Sequence, residues 1–276
     1  MTDDSDFSSW IGQSDTPRIE TISAGMVERF RATFSPNLGE TGAAPAGVHW
    51  CLSPPAVPAT ALGQDGHPAK GGFLPPVPLP RRMWAGGALE FLDPLREGDR
   101  VTRQSRIGDV RQKTGRSGAL CFVAVHHELT TDRGPALRER HDIVYRPAAT
   151  APAPDPTPDA RDGADAEWRV AVDPVMLFRY SALTFNGHRI HYDESYARSI
   201  EFYPGLVIHG PLQATLMLNL ATRLAGGLPQ RFTFRGLSPA CSPQTLRIRA
   251  WKTGSGQELA TVSQAGVTTM TAEAVW

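Results

Sequence analysis

Three histidines, a carboxamide and a glycine crowd one short region of the chain. Asn186, His188 and His191 fall within a single six-residue stretch, and His209 directly precedes Gly210-Pro211, where a long apolar run begins. An imidazole with an ordinary pKa of about 6.5 can accept and return a proton at neutral pH. A carboxamide offers a water molecule both a donor and an acceptor. Gly-Pro at a helix start leaves an N–H unpaired at the positive end of the dipole and lets a ligand approach closely. Together these residues suit chemistry on a thioester: side chains handle water and protons while a backbone amide holds the carbonyl oxygen. The competing readings are a core histidine satisfied by backbone and a Gly-Pro pair that merely begins a core helix. Asp193, in Asp193-Glu194-Ser195-Tyr196, reads as the N-cap of a short helix, and Glu201 reads as a solvated side chain beyond it. His126 and His127 are adjacent in a strand-like run and point to opposite faces, so no metal site is expected. No Gly-rich phosphate loop or nucleophile elbow is present.

These residues need a scaffold, and 276 residues suffice for one large domain or two smaller ones. A formal charge of zero argues against a nucleic-acid partner. No apolar run has the length of a membrane span, and the acidic Met1-Thr2-Asp3-Asp4-Ser5-Asp6 does not read as a secretory or transit segment. Cys51, Cys121 and Cys241 are few and far apart, which gives neither a disulfide framework nor a thiolate site. A cytoplasmic location is the expectation.

The chain divides at an Ala/Pro-rich linker, residues 148–164. Before it, residues 23–34 predict a helix capped by Ser23, a Pro-rich loop fills 53–80, and strands are expected at 88–92, 99–113, 119–131 and 136–145. After it, helices are expected at 174–184, 193–199 and 210–224, then strands at 231–236, 244–253, 257–264 and 267–276. The last helix carries Leu212, Leu216, Leu220 and Leu224 with Met217 and Leu218 beside them. Apolar on most faces, it should be buried with a sheet around it. A helix followed by an antiparallel meander, repeated twice, predicts a duplicated α+β unit. The first copy has its Pro-rich loop where the second has the long helix.

This pattern resembles the double hotdog, in which two antiparallel sheets each curl around a central helix. The string Asn186-Gly187-His188-Arg189-Ile190-His191 resembles the signature of MaoC-type hydratases and dehydratases, with Asn186, His188 and Arg189 replacing that family's Asp, Asn and Pro. The wider stretches around Phe178–Asp193, Pro204–Gln213 and Leu74–Gly87 resemble a narrower group, the 3-methylfumaryl-CoA (mesaconyl-C4-CoA) hydratases and related two-hotdog 3-hydroxyacyl dehydratases. The resemblance implies a degenerate N-terminal hotdog (1–147) that contributes to CoA or substrate binding, and a catalytic C-terminal hotdog (165–276). It implies His191 as general acid/base, Asn186 as holder of the water and the Gly210 N–H as oxyanion donor, with Tyr180, His188, Arg189, His209 and Arg82 at the substrate. Arg179, Arg198, Arg235, Arg247 and Lys252 are the candidates for coenzyme A phosphates. Coenzyme A is then part of the substrate, no separate cofactor or metal is expected, and a homodimer of such chains is compatible with the fold. Two alternatives stay open: a 3-hydroxyacyl-thioester dehydratase of fatty-acid or polyketide synthesis, and a hotdog that binds acyl-CoA without turnover.

Overall fold

The computed structural model describes residues 7–115 and 118–276; the acidic segment 1–6 lies outside the described residues. The first half runs β1 (Arg18–Thr21), α1 (Ala24–Phe34), β2 (Arg81–Phe91), β3 (Arg100–Gly115), β4 (Gly118–Thr131) and β5 (Gly134–Arg146). The second runs β6 (Ala166–Val172), α2 (Pro174–Thr184), α3 (Glu194–Ser199), β7 (Leu206–Val207), α4 (Gly210–Ala225), β8 (Arg231–Gly236), β9 (Cys241–Ser242), β10 (Gln244–Lys252), β11 (Gly256–Val262) and β12 (Thr268–Val275).

Ten strands form one continuous sheet in the order β1-β3-β4-β5-β2-β8-β12-β11-β10-β6, while β7 and β9 pair separately. Outward from the seam between β2 and β8, the order is the same in both directions. Thus β1, β3, β4, β5 and β2 correspond to β6, β10, β11, β12 and β8, and α1 corresponds to α2. The expected duplication is present. One expectation is corrected: the halves share one sheet instead of forming two, each around its own helix. Only the second supplies a long central helix, as the Pro-rich loop of the first implied. In α4's place the first half has residues 35–80, whose regular pieces are two short turns, Val48–Cys51 and Ala59–Ala61. Eight prolines between 54 and 80 remove the donors and backbone freedom a long helix would need.

The helix α4 packs on β8, β10, β11 and β12, and also on β2 of the first half. Every residue from Leu212 to Thr222 is buried, although Leu224 at its end is exposed. Full burial of a leucine such as Leu216 stabilises by roughly 1.5–3 kcal/mol. The buried polar residues of α4 have partners: Gln213 accepts from Thr261 and Thr269, and Asn219 donates to the Ala46 carbonyl and accepts from the Gly39 N–H. Those last two bonds hold the first half's loop against the second half's helix.

Strand β2 begins at Arg81, earlier than the expected start at Ala88, and so includes Gly86 and Gly87. At the seam those glycines are needed for space: a Cβ on Gly87 would come 2.7 Å from the Phe234 ring, and one on Gly86 2.5 Å from the Phe234 carbonyl. Strands β1 and β6 are sheet edges that the sequence reading passes over. The linker ends by docking on the sheet, where Arg249 donates to the Arg161 carbonyl and Trp251 to that of Asp162. Among the described residues no helix is long and apolar enough to cross a membrane.

Candidate active site

The segment after α2 makes a series of tight turns, each with a local cause. Phe185 closes α2 in the left-handed region, the Asn186 side-chain oxygen accepts from the His188 N–H at 3.0 Å, Arg189–His191 form one 3-10 turn, and Asp193 caps α3 by accepting from Tyr196 N. This path buries His188, Ile190 and His191 and leaves Tyr192 outside.

His191 Nδ1 lies 2.7 Å from the Val207 carbonyl, which can only accept. The proton of the neutral ring is therefore on Nδ1, and Nε2 keeps its lone pair. The ring stacks on His209 at 3.6 Å, and His209 Nε2 meets Ser181 Oγ at 2.9 Å. Burial pushes the His191 pKa down to about 3 and that of His209 well below its ordinary value. Both rings are neutral at pH 7. Tyr180, expected at the substrate, lies edge-on to the His209 ring at 5.0 Å and, though almost fully buried, borders the same cavity as His191; His209, also expected there, is fully buried and does not.

Gly210 is the first residue of α4, and its N–H has no hydrogen-bond partner among the described residues. The Trp84 indole lies against it: a Cβ there would be 2.9 Å from Trp84 Cε3. His191, Gly210, Trp84 and Asn186, whose amide nitrogen is unpaired among the described residues, all line one cavity of about 1480 Å³.

The first half adds residues to this site that sequence reading missed. In the loop around Gly66, the Asp65 carboxylate accepts from its neighbour's backbone, His67 N, and from His67 Nδ1 at 2.9 Å. The loop docks through glycines, because Gly66 abuts the Gly187 carbonyl so closely that a Cβ would overlap it, and Arg189 N donates to the Asp65 carbonyl. The His67 ring then packs on His188 at 4.1 Å, and His188 meets His191 edge to face at 5.4 Å. Burial opposes ionisation of Asp65, but the hydrogen bond and charge of His67 outweigh it and hold the carboxyl below the usual range. A carboxylate thus enters the site from the other half of the molecule.

A second polar cluster stands on the inner face of the first half's strands, and its Trp50, Arg103, Ser105, His127 and His141 line the same cavity. Glu139 accepts from Trp50 Nε1 and His141 Nε2, both at 2.6 Å; His141 Nδ1 meets His127 Nε2 at 3.2 Å; His127 Nδ1 meets Ser105 Oγ at 2.8 Å. Arg103 lies over the His127 ring. Burial opposes the Glu139 charge, yet His141 holds the carboxyl below its ordinary range. The alternation of Glu139 and His141 on one strand face was the signal available in the sequence. His127 points inward and His126 outward, as expected. The trios Asp65/His67/His188 and His127/Glu139/His141 each bring their ligating atoms within 4.8 Å. Each also feels a guanidinium, Arg82 in the first case and Arg103 in the second, which opposes binding of a cation.

Several candidate residues stand elsewhere. Arg189 is turned outward, paired with Asp193 at 2.8 Å and stacked on Tyr196, and it does not line the cavity. Asp193 is held by that pair and by its cap. Glu201, read as solvated, forms a largely buried ion pair with Arg81. Arg82 does line the cavity, beside Tyr145, and has no carboxylate at ion-pair distance among the described residues. Arg179, Arg198, Arg235, Arg247 and Lys252 do not line it. The cations that do are Lys70 and Arg18, Arg81, Arg82, Arg103 and Arg146.

Residues 47–242 match the family model of hydroxyacyl-thioester dehydratase type 2. The chain is 40% identical over 272 residues to the mesaconyl-C(4)-CoA hydratase of Chloroflexus aurantiacus, covering 97% of this chain and 96% of that one. It is 27% identical to the mitochondrial hydroxyacyl-thioester dehydratase type 2 of Schizosaccharomyces pombe, covering 85% and 89%. Its fold is similar to that of HtdX from Mycobacterium tuberculosis, with a TM-score of 0.69 at 16% identity over 95% and 99% of the chains. It is also similar to a second M. tuberculosis protein described as a double hotdog, with a TM-score of 0.55 at 16% identity over 96% of each chain.

Proposed function

The chain belongs to the hydroxyacyl-thioester dehydratase type 2 family, and from that premise we propose that this hydro-lyase reversibly hydrates a short branched enoyl-CoA, 3-methylfumaryl-CoA (mesaconyl-C4-CoA), to citramalyl-CoA. The observation that carries the reading is the free Nε2 lone pair of His191 in a cavity that also holds the unpaired Gly210 N–H. Water held by the Asn186 amide gives its proton to His191 Nε2 as its oxygen bonds to the β-carbon. The electron pair of the double bond moves toward the thioester, where Gly210 N–H stabilises the enolate oxygen at the positive end of α4. His191 then returns the proton to the α-carbon. The Val207 carbonyl, accepting from Nδ1, supports the imidazolium formed between the two transfers. Asp65, through His67 and His188, lends negative charge on the same side, where the wider MaoC-type signature has an aspartate in place of Asn186. Arg82 offers a cation to the anionic groups of the substrate.

Loss of the enoyl absorbance across a panel of CoA and carrier-protein thioesters tests this. Hydration of mesaconyl-C4-CoA is expected; turnover confined to long straight chains or carrier-protein thioesters would instead favour lipid or polyketide synthesis. His191→Ala should lower the rate at least about a hundredfold, the scale of general acid-base catalysis. An unchanged rate would mean that His191 is not the base.

A further inference from the structure

One end of the cavity is polar where a fatty-acyl site would be apolar. The inner face of β5 presents Glu139, His141, Ile143 and Tyr145 in a row, so His141 and Tyr145 stand about 13 Å apart along the strand. Arg82 pairs opposite Tyr145, with Lys70 over the same phenol ring. Trp84, which covers Gly210, is the next inward residue of β2 and meets His141 edge to face at 5.7 Å. Arg103 and Ser105 lie beyond His141, around His127. Trp84, and the Gly210 it covers, therefore stand between two cationic regions.

The guanidinium of Arg103 is underused. Its contacts are long: 3.3 and 3.5 Å to the Leu52 and Ser53 carbonyls, and 3.2–3.4 Å to the His127 ring. No carboxylate lies within ion-pair distance of it among the described residues. Glu139 is occupied by Trp50 and His141, and Asp15 by Arg18. The Trp84 Nε1 donor, also in this wall, is buried and has no partner among the described residues. A guanidinium without an anion, on the wall of a cavity that must receive a ligand, matches a carboxylate in geometry and charge.

We propose that Arg103, assisted by His141, is the subsite for the free carboxylate of the acyl group, and that it makes the enzyme selective for short enoyl thioesters bearing such a carboxylate. This rests on the hydratase reading above. It assigns the Arg82 and Lys70 end to the coenzyme A side. In mesaconyl-C4-CoA the carboxyl carbon is three bonds from the thioester carbon, so its subsite must border Trp84, as His141 does. A long alkyl chain would instead desolvate Arg103, His141 and Ser105 with no compensating bond, so the same cluster rejects it.

The test compares mesaconyl-C4-CoA with 3-methylcrotonyl-CoA, in which a methyl replaces the carboxylate. The unaltered enzyme should prefer the carboxylated substrate in kcat/KM by at least about a hundredfold. Arg103→Gln should abolish most of that preference, chiefly through KM, while the methyl analogue is turned over as before or faster. Arg103→Lys should keep part of it, and Arg82→Gln should weaken both substrates alike. Where the methyl analogue is too slow to follow, its inhibition constant set against the KM of mesaconyl-C4-CoA reads the binding part of that preference in each variant. A ratio retained in Arg103→Gln overturns the assignment. An unaltered enzyme that fails to discriminate does so too, whether or not the variants fold. Absence of any hydration of mesaconyl-C4-CoA by the unaltered enzyme would be a failure of the hydratase reading itself.

Discussion

Acid should unfold this protein earlier than its carboxylates alone would dictate. Burial lowers the pKa of His49 to about 4 and of His191 to about 3, and it lowers His127, His188 and His209 as well. In the unfolded chain each returns to about 6.5. Below that pH the unfolded state binds protons that the native state refuses, so stability is complete above about pH 6.5 and falls as pH drops toward the native values. At pH 5.5 each such group removes about 1.4 kcal/mol, so His49, His188 and His191 together remove about 4 kcal/mol. Against a typical total of about 5–15 kcal/mol that is a large fraction, equivalent to roughly 10 °C in Tm for a chain of this size. Glu139 and Asp65, whose carboxyls are held below the usual range, add their own loss only below about pH 4.5. Urea unfolding followed by tryptophan fluorescence between pH 7.5 and 5.5, at fixed ionic strength, measures the slope. His49→Gln removes one titrating ring outside the proposed reaction centre and should shrink the drop by about 1.4 kcal/mol. Stability that is flat or rising from pH 7 to 5.5 would refute the reasoning, since it would mean that the buried rings take up protons in the native state.

Two further outcomes follow from the site. Gly210→Ala places a methyl 2.9 Å from Trp84, so it should reduce kcat/KM at least tenfold and cost about 1–3 kcal/mol of stability, as steady-state kinetics and thermal melts would show. Asp65→Asn keeps the shape of the hydrogen bond to His67 but removes the charge, so kcat should fall roughly tenfold to a hundredfold with little change in Tm. A kcat equal to that of the parent would separate Asp65 from the chemistry.

What was legible in the sequence was local. The α4 helix announces itself by leucines at four-residue spacing, and Ser23 and Asp193 mark helix starts because a side-chain oxygen two or three residues before an orphan N–H leaves the same trace in any fold. His191, Asn186 and Gly210, close together in sequence, do line one cavity. The contribution of Asp65 and His67 was not, because it depends on Gly66 meeting Gly187 across more than a hundred residues of chain. Arg189 was misplaced since adjacency in sequence says nothing of which side of a 3-10 turn faces the cavity. Glu201 was read as solvated because its partner, Arg81, belongs to the other half. The short strand β1 was missed because four residues at a sheet edge carry too little alternation to stand out.

The missing helix of the first half leaves the duplicated molecule with a division of labour. Two identical halves would build two equivalent sites and tie both copies to the same chemistry. In the proposed mechanism the second half keeps the reaction centre, and the first is free to change its inner strand faces without touching the proton-transfer residues. Exchanging β3, β4 and β5 between relatives therefore offers a route to altering acyl preference while the catalytic half is left as it is, provided Gly86 and Gly87 stay to accept Phe234 at the join.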